Sequence, residues 1–125
     1  MKLNLGLLIL RLFAGLTMLI SHGWPKLSNF SAMSTKFPDV IGLGSQVSLS
    51  LAVFSEVFCS IALVIGLLTR WVSIPLLITM AVAFFIVHGS DPFNSKELAF
   101  MYMGVYATLI CTGSGDFSID RFIKK

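Results

Sequence analysis

Five ionisable side chains interrupt the apolar runs of this chain: Arg11 within LILRLFAGL, His22, Glu56, His88 and Glu97. An arginine at membrane depth costs roughly 2.5–3.5 kcal/mol on the insertion scale, so it needs a partner or a use. Two imidazoles and a carboxylate, as in His22, His88 and Glu97, can bind a metal or relay protons. At a membrane interface they are equally well plain polar residues. Lys26 falls just beyond His22. A second tier of candidates is weaker. Tyr102 and Tyr106, one helical turn apart, can donate hydrogen bonds to a ligand or simply pack. Cys59 and Cys111 both lie in apolar runs, where cysteine is an ordinary small filler. The chain carries no dinucleotide glycine motif, no C-x-x-C-H haem attachment and no iron–sulfur cysteine spacing.

The elements that must hold these residues are membrane helices. Of 125 residues, 56% are hydrophobic and 12% charged, and the mean hydropathy is +0.90. A soluble domain of this size needs about twice that charged fraction to cover its surface. The net charge is +3, but the nine basic residues form no dense run, which argues against nucleic acid as a partner. Four apolar stretches, 3–22, 46–68, 71–88 and 97–112, reach or approach the ~20 residues that cross a hydrocarbon core. The spacing therefore predicts an all-α, four-helix membrane bundle forming a single domain over 1–125. Arg11 breaks the first apolar core and no small-residue cleavage site follows Ile20, so the first stretch reads as a retained span.

Loop charge sets the expected orientation. Lys2, Arg70, Arg121, Lys124 and Lys125 fall on one side, and Lys26, Lys36 and Lys96 on the other. This bias favours both termini in the cytoplasm of a bacterium, the chain being multi-pass in the inner membrane. The connector 23–45 then lies outside, and its Trp24, Phe30, Met33, Phe37 and Ile41 predict an amphipathic piece on the membrane. The tight turn at Thr69–Arg70 makes spans two and three an antiparallel hairpin. The tail GSGDFSIDRFIKK reads as interfacial, with Phe117, Phe122 and Ile123 among headgroups and Lys124 and Lys125 against anionic lipid. Asp116 and Asp120 in it read as helix-start or solvent residues. Spans one and three both end in His-Gly, at 22–23 and 88–89, a faint internal echo.

Helical spacing sorts the unusual residues into faces. Arg11, Gly15, Met18 and His22 share one side of span one. Ser48, Ala52, Ser55, Cys59, Ala62 and Gly66 form a small-residue stripe on span two, with Glu56 at its edge. Glu97, Met101, Gly104, Thr108 and Cys111 make a third such face on span four. Small residues permit close helix packing in lipid, so all three faces are expected to point inward. Counted at ~1.5 Å per residue, Arg11 and Glu56 differ in depth by ~6 Å, within reach of an extended arginine. That arithmetic predicts an Arg11–Glu56 pair.

In order and spacing, Leu10-Arg11-Leu12, Gly15, His22-Gly23 with Lys26-Leu27, and Glu56 resemble the DoxX family of small four-span bacterial membrane proteins. The likeness continues through Gly66-Leu67-Leu68-Thr69-Arg70, Met80, Ala83, His88, Glu97, Gly113-Ser114-Gly115 and Ser118-Ile119-Asp120, running from about Leu5 to Phe122. One departure is Val57-Phe58, where the family pattern has glycines. The resemblance implies quinone-linked oxidoreductase chemistry, by similarity to subunits of an archaeal thiosulfate:quinone oxidoreductase. It also implies a soluble redox partner, since some mycobacterial relatives form the membrane part of an oxidative-stress complex.

Three functional readings follow from the sequence. The first is a membrane subunit holding a quinone in an apolar slot, with Arg11, His22, Glu56, His88 and Glu97 as its polar part and Met18, Phe84 and Met101 as lining. The second is a non-catalytic scaffold or assembly factor for a partner protein. The third is a carrier of a small solute, which with four spans would need a homo-oligomer to enclose a path.

Overall fold

In lipid every backbone polar group must be satisfied within its own segment, and apolar runs of this length meet that demand by coiling into helices. The computed structural model describes residues 2–39 and 42–123, and their regular structure is entirely helical. The elements are α1 (Lys2–Ser28), α2 (Phe30–Met33), α3 (Ser45–Ile65), α4 (Thr69–Val87), α5 (Phe93–Thr112) and α6 (Asp120–Ile123). Three of them, α1, α3 and α4, are long and apolar enough to cross a membrane. The fourth long helix, α5, lies along α4. Ile41, Lys124 and Lys125, placed above in the connector and the tail, lie outside the described residues.

The bundle is built around α3, the most buried of the three apolar helices. The predicted stripe holds on this helix: Ser48, Ala52, Ser55, Cys59 and Gly66 are all buried. One core cluster joins Leu7, Met18, Leu63, Leu76, Tyr106 and Leu109 from four helices. A smaller one packs Leu49, Val53 and Val57 of α3 against Phe30, Met33 and Phe37. Phe30, Met33 and Phe37 of the connector thus lie against α3, while Trp24 is exposed. Outward-facing Phe13, Ile20, Trp71 and Phe85 form part of a broad exposed apolar surface. A surface of that kind fits a lipid surround rather than water.

Two further expectations are corrected. The first helix does not stop at His22 but runs on to Ser28, so Lys26 sits on it one turn beyond the histidine. On α5 the inward face is Tyr102, Tyr106 and Leu109, while Glu97, Met101, Gly104, Thr108 and Cys111 are exposed. The two tyrosine rings stack 5.8 Å apart, and two such rings make more van der Waals contacts than a glycine and a threonine, contacts being what drives helix packing in lipid. Large aromatics outcompete small residues for the core.

Each of the three apolar helices contains one π-helical turn: Leu19–Gly23, Phe54–Cys59 and Ala83–Val87. In such a turn the amide bonds five residues back, as His88 N–H does to Ala83 O at 3.0 Å. The extra residue re-aims the side chains around it, and turns of this type concentrate at functional sites. The first contains His22, the second Glu56, and the third is followed at once by His88.

Candidate functional site

The polar residues separate into two groups, one at the C-terminal end of α3 and one along its middle and N-terminal half. At the end where α3 stops, Arg11 is fully buried. Its Nη1 donates to the carbonyls of Leu63 at 3.1 Å and Val64 at 3.0 Å. Its Nε donates to Ser114 O at 3.1 Å, and its Nη2 donates to Phe117 O. Carbonyls in the last turn of a helix have no partner within it, and a cation there also meets the negative end of the helix dipole. The guanidinium closes α3 and ties the segment after α5 beneath it.

The same segment contributes a second clamp. Ile119 N–H and Asp120 N–H donate to Ile65 O and Gly66 O at 3.1 and 2.9 Å. Asp120 Oδ1 and Oδ2 accept from Leu68 N–H at 2.6 Å and Thr69 N–H at 2.9 Å, capping α4 from a distant part of the chain. Gly66, at φ +75°, is required here on two counts. A Cβ on it would strain the left-handed backbone, and would also collide with Ser118 and approach Arg11 Nη1 to 2.7 Å.

This arrangement overturns the predicted Arg11–Glu56 pair. Arg11 lies level with Leu63 and Val64, and Glu56 lies a further seven residues along α3, about 10 Å away by helical rise. Glu56 is paired instead with Lys26, whose Nζ stands 2.7 Å from Oε1. The extension of α1 past His22 is what brings Lys26 within range. Gly23, on the turn between them, packs so closely that a Cβ there would come 2.5 Å from the Glu56 carbonyl oxygen.

The pair borders a cavity of about 640 Å³ whose lining is mainly apolar. Polar side chains reach it from every element around it: His22 and Lys26 from α1, Lys36 from the connector, Ser48 and Glu56 from α3, His88 after α4, and Lys96 and Tyr102 from α5. Glu56 is 3% exposed and Tyr102 6%. His22 meets the Tyr102 ring edge-on, with centroids 5.8 Å apart. Among the described residues seven buried hydroxyls have no hydrogen-bond partner, and of these only Tyr102 and Ser48 line the cavity. Buried hydroxyls are normally bonded, so a pair left free on a cavity wall marks a place where a ligand can bond.

Of the residues singled out from sequence, His22, Lys26, Glu56, His88 and Tyr102 are brought to the cavity. His88 Nδ1 also lies 2.8 Å from Asp91 Oδ2. Arg11 belongs to the other end. Tyr106 and Cys59 are buried in the core behind the cavity. Glu97 and Cys111 are exposed away from it, and so is Met101, at 60%, while Met18 is core. Phe84 belongs to an aromatic group with Phe93 and Phe100. Among the described residues no group of three or more His, Cys, Asp or Glu is close enough to hold a metal ion. Among the lining residues that escaped the sequence reading are Lys36, Lys96 and Ser48. The two lysines had counted only as loop charge and Ser48 only as packing, and nothing local in the sequence says otherwise.

The DoxX family model matches residues 6–89. Two uncharacterized proteins of Haemophilus influenzae are similar along most of their length. One is 29% identical, covering 98% of this chain and 85% of the relative. The other is 32% identical over 86% of this chain and 84% of the relative. No solved structure matches. The matched span contains Arg11, His22, Lys26, Glu56, the Gly66–Arg70 turn and His88, so both ends of the bundle fall largely within it. This chain is a membrane protein that belongs to the DoxX family.

Proposed function

We propose that this protein is the membrane subunit of a quinone-linked oxidoreductase system, and that the cavity beside Glu56 holds the quinone ring. The observation that carries this reading is the pair of unbonded hydroxyls, Tyr102 and Ser48, on the wall of an otherwise apolar cavity. A ring with two carbonyl oxygens needs an apolar slot and donors at its edges. Tyr102 O–H and Ser48 O–H can donate without giving up any bond they already make. Lys26 and Glu56, 2.7 Å apart, can hold a proton next to the ring, with His22 as a neighbouring site. A bound quinone takes up two electrons and two protons to become the quinol, the electrons arriving from a soluble partner protein. In the proposed setting the chain crosses a bacterial inner membrane four times with both termini in the cytoplasm, and the cavity faces outward.

A second reading, a scaffold for a partner, is favoured by the outward face of α5. Gly104 has no atom within 4 Å of where a Cβ would stand, leaving a small-residue surface of the kind on which membrane helices pack. The test separates the two. In native-lipid nanodiscs, near-stoichiometric quinone should extract from the wild type. It should fall at least roughly fivefold in Tyr102→Phe, which removes about one hydrogen bond to the ligand and none within the protein. Background quinone in both, with a stoichiometric partner protein co-purifying, supports the scaffold and ends the quinone reading.

A further inference from the structure

The charges around the cavity are distributed unevenly. Lys26, Lys36 and Lys96 all line it, whereas of Asp39, Glu56, Asp91 and Glu97 only Glu56 does. Each of the other three carboxylates is turned to something else or away. Asp39 Oδ1 accepts from Gly42 N–H at 3.0 Å and Gly44 N–H at 3.1 Å. Asp91 is held by His88, and Glu97 is exposed. Glu56 is matched by Lys26. Among the described residues no carboxylate lies within ion-pair distance of Lys36 or Lys96. Three lysines against one carboxylate leave the wall with two uncompensated positive charges.

Their placement is also specific. Lys36 comes from the connector and Lys96 from the first turn of α5, so the two charges approach the cavity from different elements. Lys96 is steadied 4.5 Å over the centre of the Phe84 ring, with its Nζ 3.3 Å from Gly89 O. Lys96 is partly buried, and Lys36 reaches the cavity from its exposed rim. Charges of one sign gathered on low-dielectric walls focus their field into the space between them.

We infer that the cavity takes its amphiphile as an anion, with the ionised head between Lys36 and Lys96 and the apolar body against Ala52, Ile78 and Ala83. This rests on the cavity being a ligand site, and it specifies the ligand class within that reading: an acidic hydroxyquinone or another ring with an ionised oxygen, in preference to a neutral one. Tyr102 O–H and Ser48 O–H then donate to the charged head, where a hydrogen bond is stronger than to a neutral carbonyl.

Two probes with one ring test it. At neutral pH 2-hydroxy-1,4-naphthoquinone is ionised and 2-methyl-1,4-naphthoquinone is neutral. Their Kd values would be measured by equilibrium dialysis against wild-type protein in nanodiscs of zwitterionic lipid, with empty nanodiscs as the blank. The ionised probe should bind at least about tenfold more tightly, since one charge-assisted bond in place of a neutral one is worth about that factor. In Lys36→Gln/Lys96→Gln the preference should shrink to near unity while the neutral probe is unaffected. Equal Kd values for both probes in the wild type would overturn this inference and leave the cavity a ligand site. Failure of both probes to bind would remove the site itself.

Discussion

The C-terminal end of α3 and the half of it beside the cavity bury charge in opposite ways. At the arginine end the charges are met by backbone: four carbonyls take the guanidinium, and two amides take Asp120. The Thr69 hydroxyl there is also unbonded, but it does not line the cavity. At the lysine–glutamate end the ion pair stands beside open space, two hydroxyls lack partners and two lysines lack counter-ions. A buried charge whose valences are all met by backbone holds the fold together, whereas one with unmet neighbours beside a cavity is placed to act on something else.

The largest effect should come from breaking the arginine end. Arg11→Met leaves the Val64, Ser114 and Phe117 carbonyls without this donor and Leu63 O with Gly66 N–H alone, and a loss of about 4 kcal/mol is expected from hydrogen bonds to a charged group of about 1.5–3 kcal/mol each, reduced by relaxation. Unfolding titrations in detergent would read it; a variant as stable as the wild type would mean this end is no clamp. Next is Lys26→Met, which strands Glu56 at 3% exposure and should destabilise by about 3 kcal/mol. Adding Glu56→Leu should recover most of that, because no lone charge then remains buried. Recovery of stability without recovery of ligand would sharpen the contrast between the two ends. The smallest effect is expected for Asp120→Asn, which weakens a cap bonding two amides, by about 1 kcal/mol. Ligand content of the folded variant should not change; if it does, the two ends are coupled and the division fails.

Much of the fold was legible in the sequence because the bilayer makes length and hydropathy decisive. The small stripe from Ser48 to Gly66 was readable because it has helical period and belongs to the most buried of the three apolar helices. The stripe of Glu97, Gly104 and Cys111 has the same period, yet it faces out. Period reports that a face exists but not which of two faces wins the core, and on α5 the stacked tyrosines win. The Arg11–Glu56 pairing failed for a related reason. Depth counted along each span says nothing of the register in which the spans pack: Gly15 meets Ser60 and Val64 and Gly23 meets Glu56, which sets Arg11 at the end of α3, away from Glu56.

By itself the sequence determined that the chain is a helical membrane protein and which ionisable residues need partners, because transfer into lipid is a property of each segment. Only the tertiary structure decided who those partners are. Arg11 answers to Leu63, Val64, Ser114 and Phe117 through their carbonyls, which every residue possesses and no sequence pattern marks. Glu56 answers to Lys26 through a helix extension and a π-helical turn that shift side chains by one register. Lys36, Ser48 and Lys96 become one wall only when three elements far apart in the chain pack around the same empty volume.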